Sequence, residues 1–174
     1  ACERCHGLGF QRVIDPELVV PDPTLSLAEG ALQPWRTGHS RYWKRLVETV
    51  ADENGVDVDA PWQELEDSER EIFLYGTGTE RHKVSYTNRF GRRRSYSVRF
   101  EGIVNNLERR YEETDSDAVR ERVEGYIAEQ PCPDCKGARL RPESLAVKVG
   151  GLGIHEFTRM SARRSRFRFV SDSC

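Results

Sequence analysis

Two cysteine pairs, one at each end of the chain, constrain its fold more than any other feature. The first lies in Cys2-Glu3-Arg4-Cys5-His6-Gly7-Leu8-Gly9 and the second in Cys132-Pro133-Asp134-Cys135-Lys136-Gly137-Ala138-Arg139-Leu140. Each is Cys-x-x-Cys with a glycine two places after the second cysteine. A two-residue gap lets both sulfurs of a pair face one ion, and four thiolates are the ligand set of a closed structural zinc site. Cys2, Cys5, Cys132 and Cys135 are therefore the candidate ligands of one structural Zn2+. The segment between Cys5 and Cys132 is far longer than a zinc-finger loop, which predicts a domain inserted into a four-cysteine module. A redox or disulfide role is the weaker alternative. No secretory leader is expected for this chain, and neither pair opens an amphipathic helix as a thioredoxin-like motif would. The fifth cysteine, Cys174, has no partner by spacing.

Composition narrows the class. The 174 residues are 37% hydrophobic and 32% charged, with a net charge of −2. Such a chain buries a modest core, and it has no apolar run long enough to span a bilayer. No membrane partner is expected, and a cytoplasmic location is. Because Ala1 adjoins a candidate ligand, the chain is expected to be a fragment of a longer protein. The near-neutral total hides a strong asymmetry. Glu48 to Glu71 holds ten acids against Arg70, whereas Arg81 to Arg110 holds nine bases against Glu101 and Glu108.

Periodicity supplies the elements. Phe10 to Val20 reads as an extended stretch and turn. Leu25, Leu27 and Leu32 lie in a proline-broken loop and are expected to form a satellite cluster. Ser40 to Asn54 predicts a helix with Tyr42, Trp43, Leu46, Val47, Val50 and Ala51 on one face and Gly55 as its stop. Pro61-Trp62 opens a helical turn, and Asp67 or Ser68 caps a short helix bearing Ile72, Phe73 and Leu74. His82–Thr87 and Arg93–Phe100 predict a β-hairpin turning at residues 88–91. Helices are expected over Gly102–Glu113 and Asp117–Glu129, and a strand over Leu145–Val149. The fold class is thus α+β: a small helical domain with an antiparallel hairpin, inserted into the zinc module. The stretch from about Thr158 has no helical stripe and is expected to be disordered or an atypical tail.

The hairpin carries the second candidate site. Arg89, Arg92, Arg93, Arg94 and Arg99 lie beside Tyr86, Phe90 and Tyr96, and guanidinium forks match phosphate oxygens. The competing view is a solvated face, or one paired with the acidic stretch 48–71. No catalytic residues are indicated. His6, His39, His82 and His155 are scattered, and Tyr75-Gly76-Thr77-Gly78 lacks the lysine and following helix of a phosphate loop.

The run Phe100-Glu101-Gly102-Ile103-Val104-Asn105-Asn106-Leu107-Glu108-Arg109-Arg110-Tyr111-Glu112-Glu113-Thr114 closely resembles the UvrA family, the damage-sensing subunits of the bacterial UvrABC excinuclease. So do Ser116 to Glu121, Pro61-Trp62, Leu74-Tyr75-Gly76 and Cys132-x-x-Cys135-x-Gly137-x-Arg139-Leu140-Arg141. The resemblance runs from Ala1 to about Phe157. It implies an insertion domain, rooted at a zinc module, that contacts damaged double-stranded DNA in nucleotide-excision repair. It also implies a parent that is a dimeric ABC-class ATPase working with UvrB, with ATP bound by that parent and no enzyme activity in this fragment. On this reading residues 1–9 and 131–157 are the two halves of the zinc module, the latter including the start of the ATPase-side body. Residues 10–130 are the DNA-contacting insertion, and 158–174 are the tail. Two alternatives stand beside it. One is a DnaJ-like zinc-repeat chaperone module, since Cys2 to Gly9 follows that repeat while Arg139 replaces the final glycine of the second copy. The other is a UvrA-like antibiotic-resistance paralogue.

Overall fold

The structure, a computed structural model, describes residues 1–36, 40–87, 89–149 and 152–153. It mixes helices with three two-stranded sheets, as an α+β chain should. The residues fall into two compact units, Ala1–Val13 with Glu129–Cys174, and Ile14–Ala128.

The larger unit is built on amphipathic helices. After α1 (Pro16–Val19), capped by the Asp15 carboxylate, come α2 (Gln33–Arg36) and α3 (Ser40–Asn54). The α3 stripe buries Leu46, Val47, Val50 and Ala51. Tyr42 departs from the expected stripe and is 40% exposed. Leu27, Ala31, Leu32 and Trp35 join the main core instead of forming a satellite, because the Trp35 indole stacks on Trp43 at 4.2 Å and packs edge-on against Phe100. A 3-10 turn at Trp62–Glu64 follows. Helix α4 (Asp67–Tyr75) is then capped by Glu66, not by Asp67 or Ser68: Glu66 and Glu69 close a reciprocal capping box.

Strands β2 (Arg81–Thr87) and β3 (Arg93–Arg99) pair antiparallel, with Val84 opposite Tyr96 and Ser85 opposite Ser95. Phe100 lies just beyond β3 and is buried in the core. Helices α5 (Ile103–Glu113) and α6 (Asp117–Glu124) complete the unit. The expected helix to Glu129 stops five residues early. Gly125 ends it, and residues 127–131 become β4 (Ile127–Pro131), the partner of β1 (Phe10–Ile14).

Most polar residues of the 100–111 run are structural. Asn106 is buried, accepts from the Trp35 indole and donates to Glu101 at 2.7 Å. Glu101 in turn takes two hydrogen bonds from Arg109, at 2.8 and 3.0 Å, which hold its carboxyl below the usual carboxylate range despite burial. Asn105 donates to the carbonyls of Tyr75 and Glu101. That amide bridges the end of α4 to the start of α5, where the backbones of Gly76 and Gly102 touch. A Cβ on Gly102 would lie 2.4 Å from the Gly76 nitrogen, and one on Gly76 would lie 2.4 Å from the Phe100 oxygen.

In the smaller unit, the strand expected over Leu145–Val149 is instead α7 (Pro142–Ala146) followed by β5 (Lys148–Val149), which pairs with β6 (Leu152–Gly153). Proline at the first helical position is the local reason. The tail from about Thr158, with Cys174, lies outside the described residues, as do Asn88 in the hairpin turn and His39 and His155.

Candidate metal centre and nucleic-acid interface

Each cysteine pair sits on a turn whose backbone enters the left-handed region. His6 and Gly7 have φ of 49° and 84°, and Lys136 and Gly137 have 47° and 86°. The parallel extends to Gly9 at 86° and Arg139 at 66°. The two knuckles are conformational copies, and they are stitched reciprocally. The Cys2 N–H donates to the Arg139 carbonyl at 2.8 Å, and the Cys132 N–H donates to the Gly9 carbonyl at 3.0 Å. Two exposed ion pairs also join them, Arg4–Asp134 and Arg141–Glu3; such pairs add at most about 1 kcal/mol each.

This stitching brings Cys2, Cys5, Cys132 and Cys135 together. All four are buried, and their sulfurs lie within 4.8 Å of one another. The cross-knuckle separations are 3.9 Å for Cys2–Cys132 and 3.7 Å for Cys5–Cys135. Disulfide sulfurs lie about 2.05 Å apart. Metal–sulfur bonds of about 2.3 Å in a tetrahedron require an edge of about 3.8 Å. The donor set and its spacing therefore fit one tetrahedral ion. Burial raises the Cys5 thiol, but the Gly9 and Gly7 N–H groups and the Cys135 thiol outweigh it, leaving Cys5 at about 7. For Cys2 the Cys5 N–H acts downward, yet burial and the Cys5 and Cys132 thiols push it up to about 11. Metal binding by thiols releases protons, so occupancy of such a site depends on pH. His6 is exposed and stands outside this cluster.

Arg139 is the one break in the repeat, a non-glycine at φ 66° where its twin is Gly9. Its side chain is exposed and lies over Gly9. Arg139→Gly is expected to stabilise the knuckle by about 0.5–1 kcal/mol by relieving the left-handed backbone. A chelator titration followed by thiol reactivity would read this as a higher midpoint. A lower midpoint would mean that the arginine's packing outweighs its strain.

The hairpin places its cations on two faces. The inner face carries His82, Val84 and Tyr86 of β2 and Arg94, Tyr96 and Val98 of β3; the register puts Arg94 opposite Tyr86. This side meets α3: Tyr42 stacks on Tyr96, and the Arg45 guanidinium lies 5.5 Å over the Tyr86 ring. His82 is buried between the Thr77 hydroxyl and the Glu53 carboxylate. Nothing in the scattered spacing of the histidines signals that hydroxyl–imidazole–carboxylate row. With its ring 2% exposed, His82 anchors β2 to α3 and is closed to substrate.

The outer face is different. Its cross-strand pairs are Arg81–Arg99, Lys83–Ser97, Ser85–Ser95 and Thr87–Arg93, and all eight residues are exposed. Arg93 and Arg99 from the expected set are here. Arg81 and Lys83, which the sequence pattern leaves out of the site, are their neighbours across the sheet. Arg81 and Arg99 are oriented by the carbonyls of Ser97 and Gly78. Arg89 and Arg92 lie at the tip, with the Arg89 guanidinium 4.7 Å from the Phe90 ring centroid. Among the described residues, the acidic stretch 48–71 forms no ion pair with Arg93, Arg94 or Arg99.

The chain matches a family model described as the UvrA DNA-binding domain over residues 15–125. It is 41% identical to UvrABC system protein A of Halalkalibacterium halodurans over 98% of this chain and 18% of that protein. It is 45% identical to UvrABC system protein A of Mycobacterium tuberculosis over 87% of this chain and 16% of that protein. The crystal structure of UvrA2 from Deinococcus radiodurans superposes with a TM-score of 0.71 at 30% identity, covering 95% of this chain and 21% of that one. The chain thus spans about a fifth of the length of the relatives it matches. With the family model covering more than half of it, the chain belongs to the UvrA DNA-binding domain family.

Proposed function

We propose that this chain is the DNA-contacting insertion module of a UvrA-like nucleotide-excision-repair protein, that it helps recognise damaged duplex DNA, and that one structural Zn2+ is held by Cys2, Cys5, Cys132 and Cys135. When bound, the ion would supply only a structural crosslink between the two knuckles, because four cysteines leave no open coordination position. ATP hydrolysis, dimerisation and work with UvrB belong on this reading to the parent protein, in the cytoplasm. Among the described residues no helix is long and apolar enough to cross a membrane. Neither the DnaJ-like module nor the resistance paralogue is favoured by the family match.

The observation that carries the proposal is the outer face of β2–β3. Arg81, Lys83, Arg93 and Arg99 surround an exposed Ser85–Ser95–Ser97 centre with no carboxylate among them. Guanidinium, ammonium and hydroxyl donors on an exposed two-stranded ribbon suit a phosphate backbone. Arg89, Arg92 and Arg94 extend the positive field at the tip and on the inner edge. Neutralising Lys83 and Arg93 together to glutamine is expected to weaken duplex binding and to flatten the slope of log K against log salt by about 2 units. Arg94→Gln should have the smaller effect. Anisotropy titrations at several salt concentrations, with damaged and undamaged duplexes, measure this; an unchanged slope in the double variant would remove the hairpin from the interface.

A further inference from the structure

The charged face accounts for affinity without explaining the hairpin tip. Phe90 there is 70% exposed, the most exposed large apolar side chain among the described residues. A single exposed ring is common on a soluble surface and gains meaning only from its setting, here the turn of a cation-rich ribbon. The strands behind it are seven residues each, a reach of roughly 20 Å at the usual rise. The Arg89 guanidinium lies over the ring, and the next residue, Gly91, has a φ of 73° with open space around it. From Arg81 to Phe100 there are seven cations and no carboxylate.

We infer that Phe90 is a wedge that stacks on an unstacked nucleobase where a duplex is distorted. This rests on the DNA-binding reading of the same hairpin. The surrounding cations select a polyanion and disfavour an acidic-poor protein surface. The row of serine hydroxyls behind the tip matches phosphate oxygens better than lipid tails, and a single ring buries too little to hold a bilayer. An apolar side chain inserted at a base step must offset the cost of unstacking, which is least where pairing is already broken. An arginine-backed ring is a stacking platform that accepts any base. The tip would therefore favour distortion without reading sequence, while the outer face holds the backbone.

The test uses the full zinc-loaded chain and a duplex with 2-aminopurine beside a central abasic site. Saturating wild-type protein should raise the fluorescence several-fold. Phe90→Ala should lose most of that rise while keeping the salt slope, and Phe90→Trp should keep the rise and show indole quenching by the DNA. Because the ring is exposed, neither change should disturb the fold; circular dichroism checks this. Salt-dependent binding with an equal fluorescence rise in the wild type and in Phe90→Ala overturns the wedge alone. Absence of salt-dependent binding in the wild type overturns the DNA reading and the wedge with it. Quenching of Phe90→Trp by phosphatidylserine vesicles, but not by the duplex, overturns the wedge in favour of a membrane contact.

Discussion

Alanine at Gly102 is expected to destabilise the larger unit by about 3–5 kcal/mol, lowering its melting temperature by more than about 10 °C. Two costs combine. Gly102 has φ 78° and ψ 163°, and Gly76 has φ 90° and ψ −177°; both lie in a region essentially restricted to glycine. The added methyl would also stand 2.4 Å from the Gly76 nitrogen and 2.5 Å from the Leu74 oxygen. Those are backbone atoms, which cannot swing aside as a side chain can. Gly78 provides the control: its φ is 68°, but nothing lies within 4 Å of the point where a methyl would stand. Gly78→Ala should therefore show only the conformational cost, about 1 kcal/mol. Calorimetric melts of the two variants separate the effects. Equal small shifts would show that the contact between α4 and α5 relaxes freely.

Serine at Cys132 is expected to abolish stoichiometric zinc and to unfold the knuckles while the larger unit stays folded. Structural zinc has an apparent binding free energy of about 10–16 kcal/mol at neutral pH, far above what two exposed ion pairs and two backbone hydrogen bonds can replace. The larger unit has its own core around Phe73, Phe100, Leu46 and Ile103, so far-UV circular dichroism should fall only modestly. Proteolysis should concentrate within residues 129–149. Atomic emission on protein purified without added metal should give one zinc per wild-type chain and none for Cys132→Ser. Zinc-free wild type with freely reactive thiols would end the metal assignment.

What can be read from the sequence divides by the range of the interactions involved. The span of helix α3 is legible because its stripe and Gly55 are local signals, although Tyr42 leaves that stripe. The convergence of the cysteines is legible because spacing within each pair is itself a geometric constraint. Periodicity overextends α6 because the apolar period runs on through Tyr126 and Ile127, whereas the fate of Ile127–Pro131 is decided by pairing with β1, over a hundred residues earlier. The same limit hides part of the candidate interface. Alternation along β3 shows Ser95, Ser97 and Arg99 on one side, but only the register places Lys83 across from Ser97. The Glu53–His82–Thr77 row is beyond reach for the same reason, since it needs α3 and β2 to be docked.

The reciprocal stitching of the two knuckles also has a consequence in time. Cys2 and Cys132 are 130 residues apart in the chain, and neither knuckle alone offers four sulfurs. At about 5–20 residues per second of synthesis, the first dithiol waits roughly 10 s for the second. Throughout that interval Cys2 and Cys5 are a nascent vicinal pair, open to oxidation or to capture by other soft ligands. The thiols become inaccessible only after the intervening residues have been made, so completion of the four-cysteine cluster reports that the insertion has been synthesised from end to end.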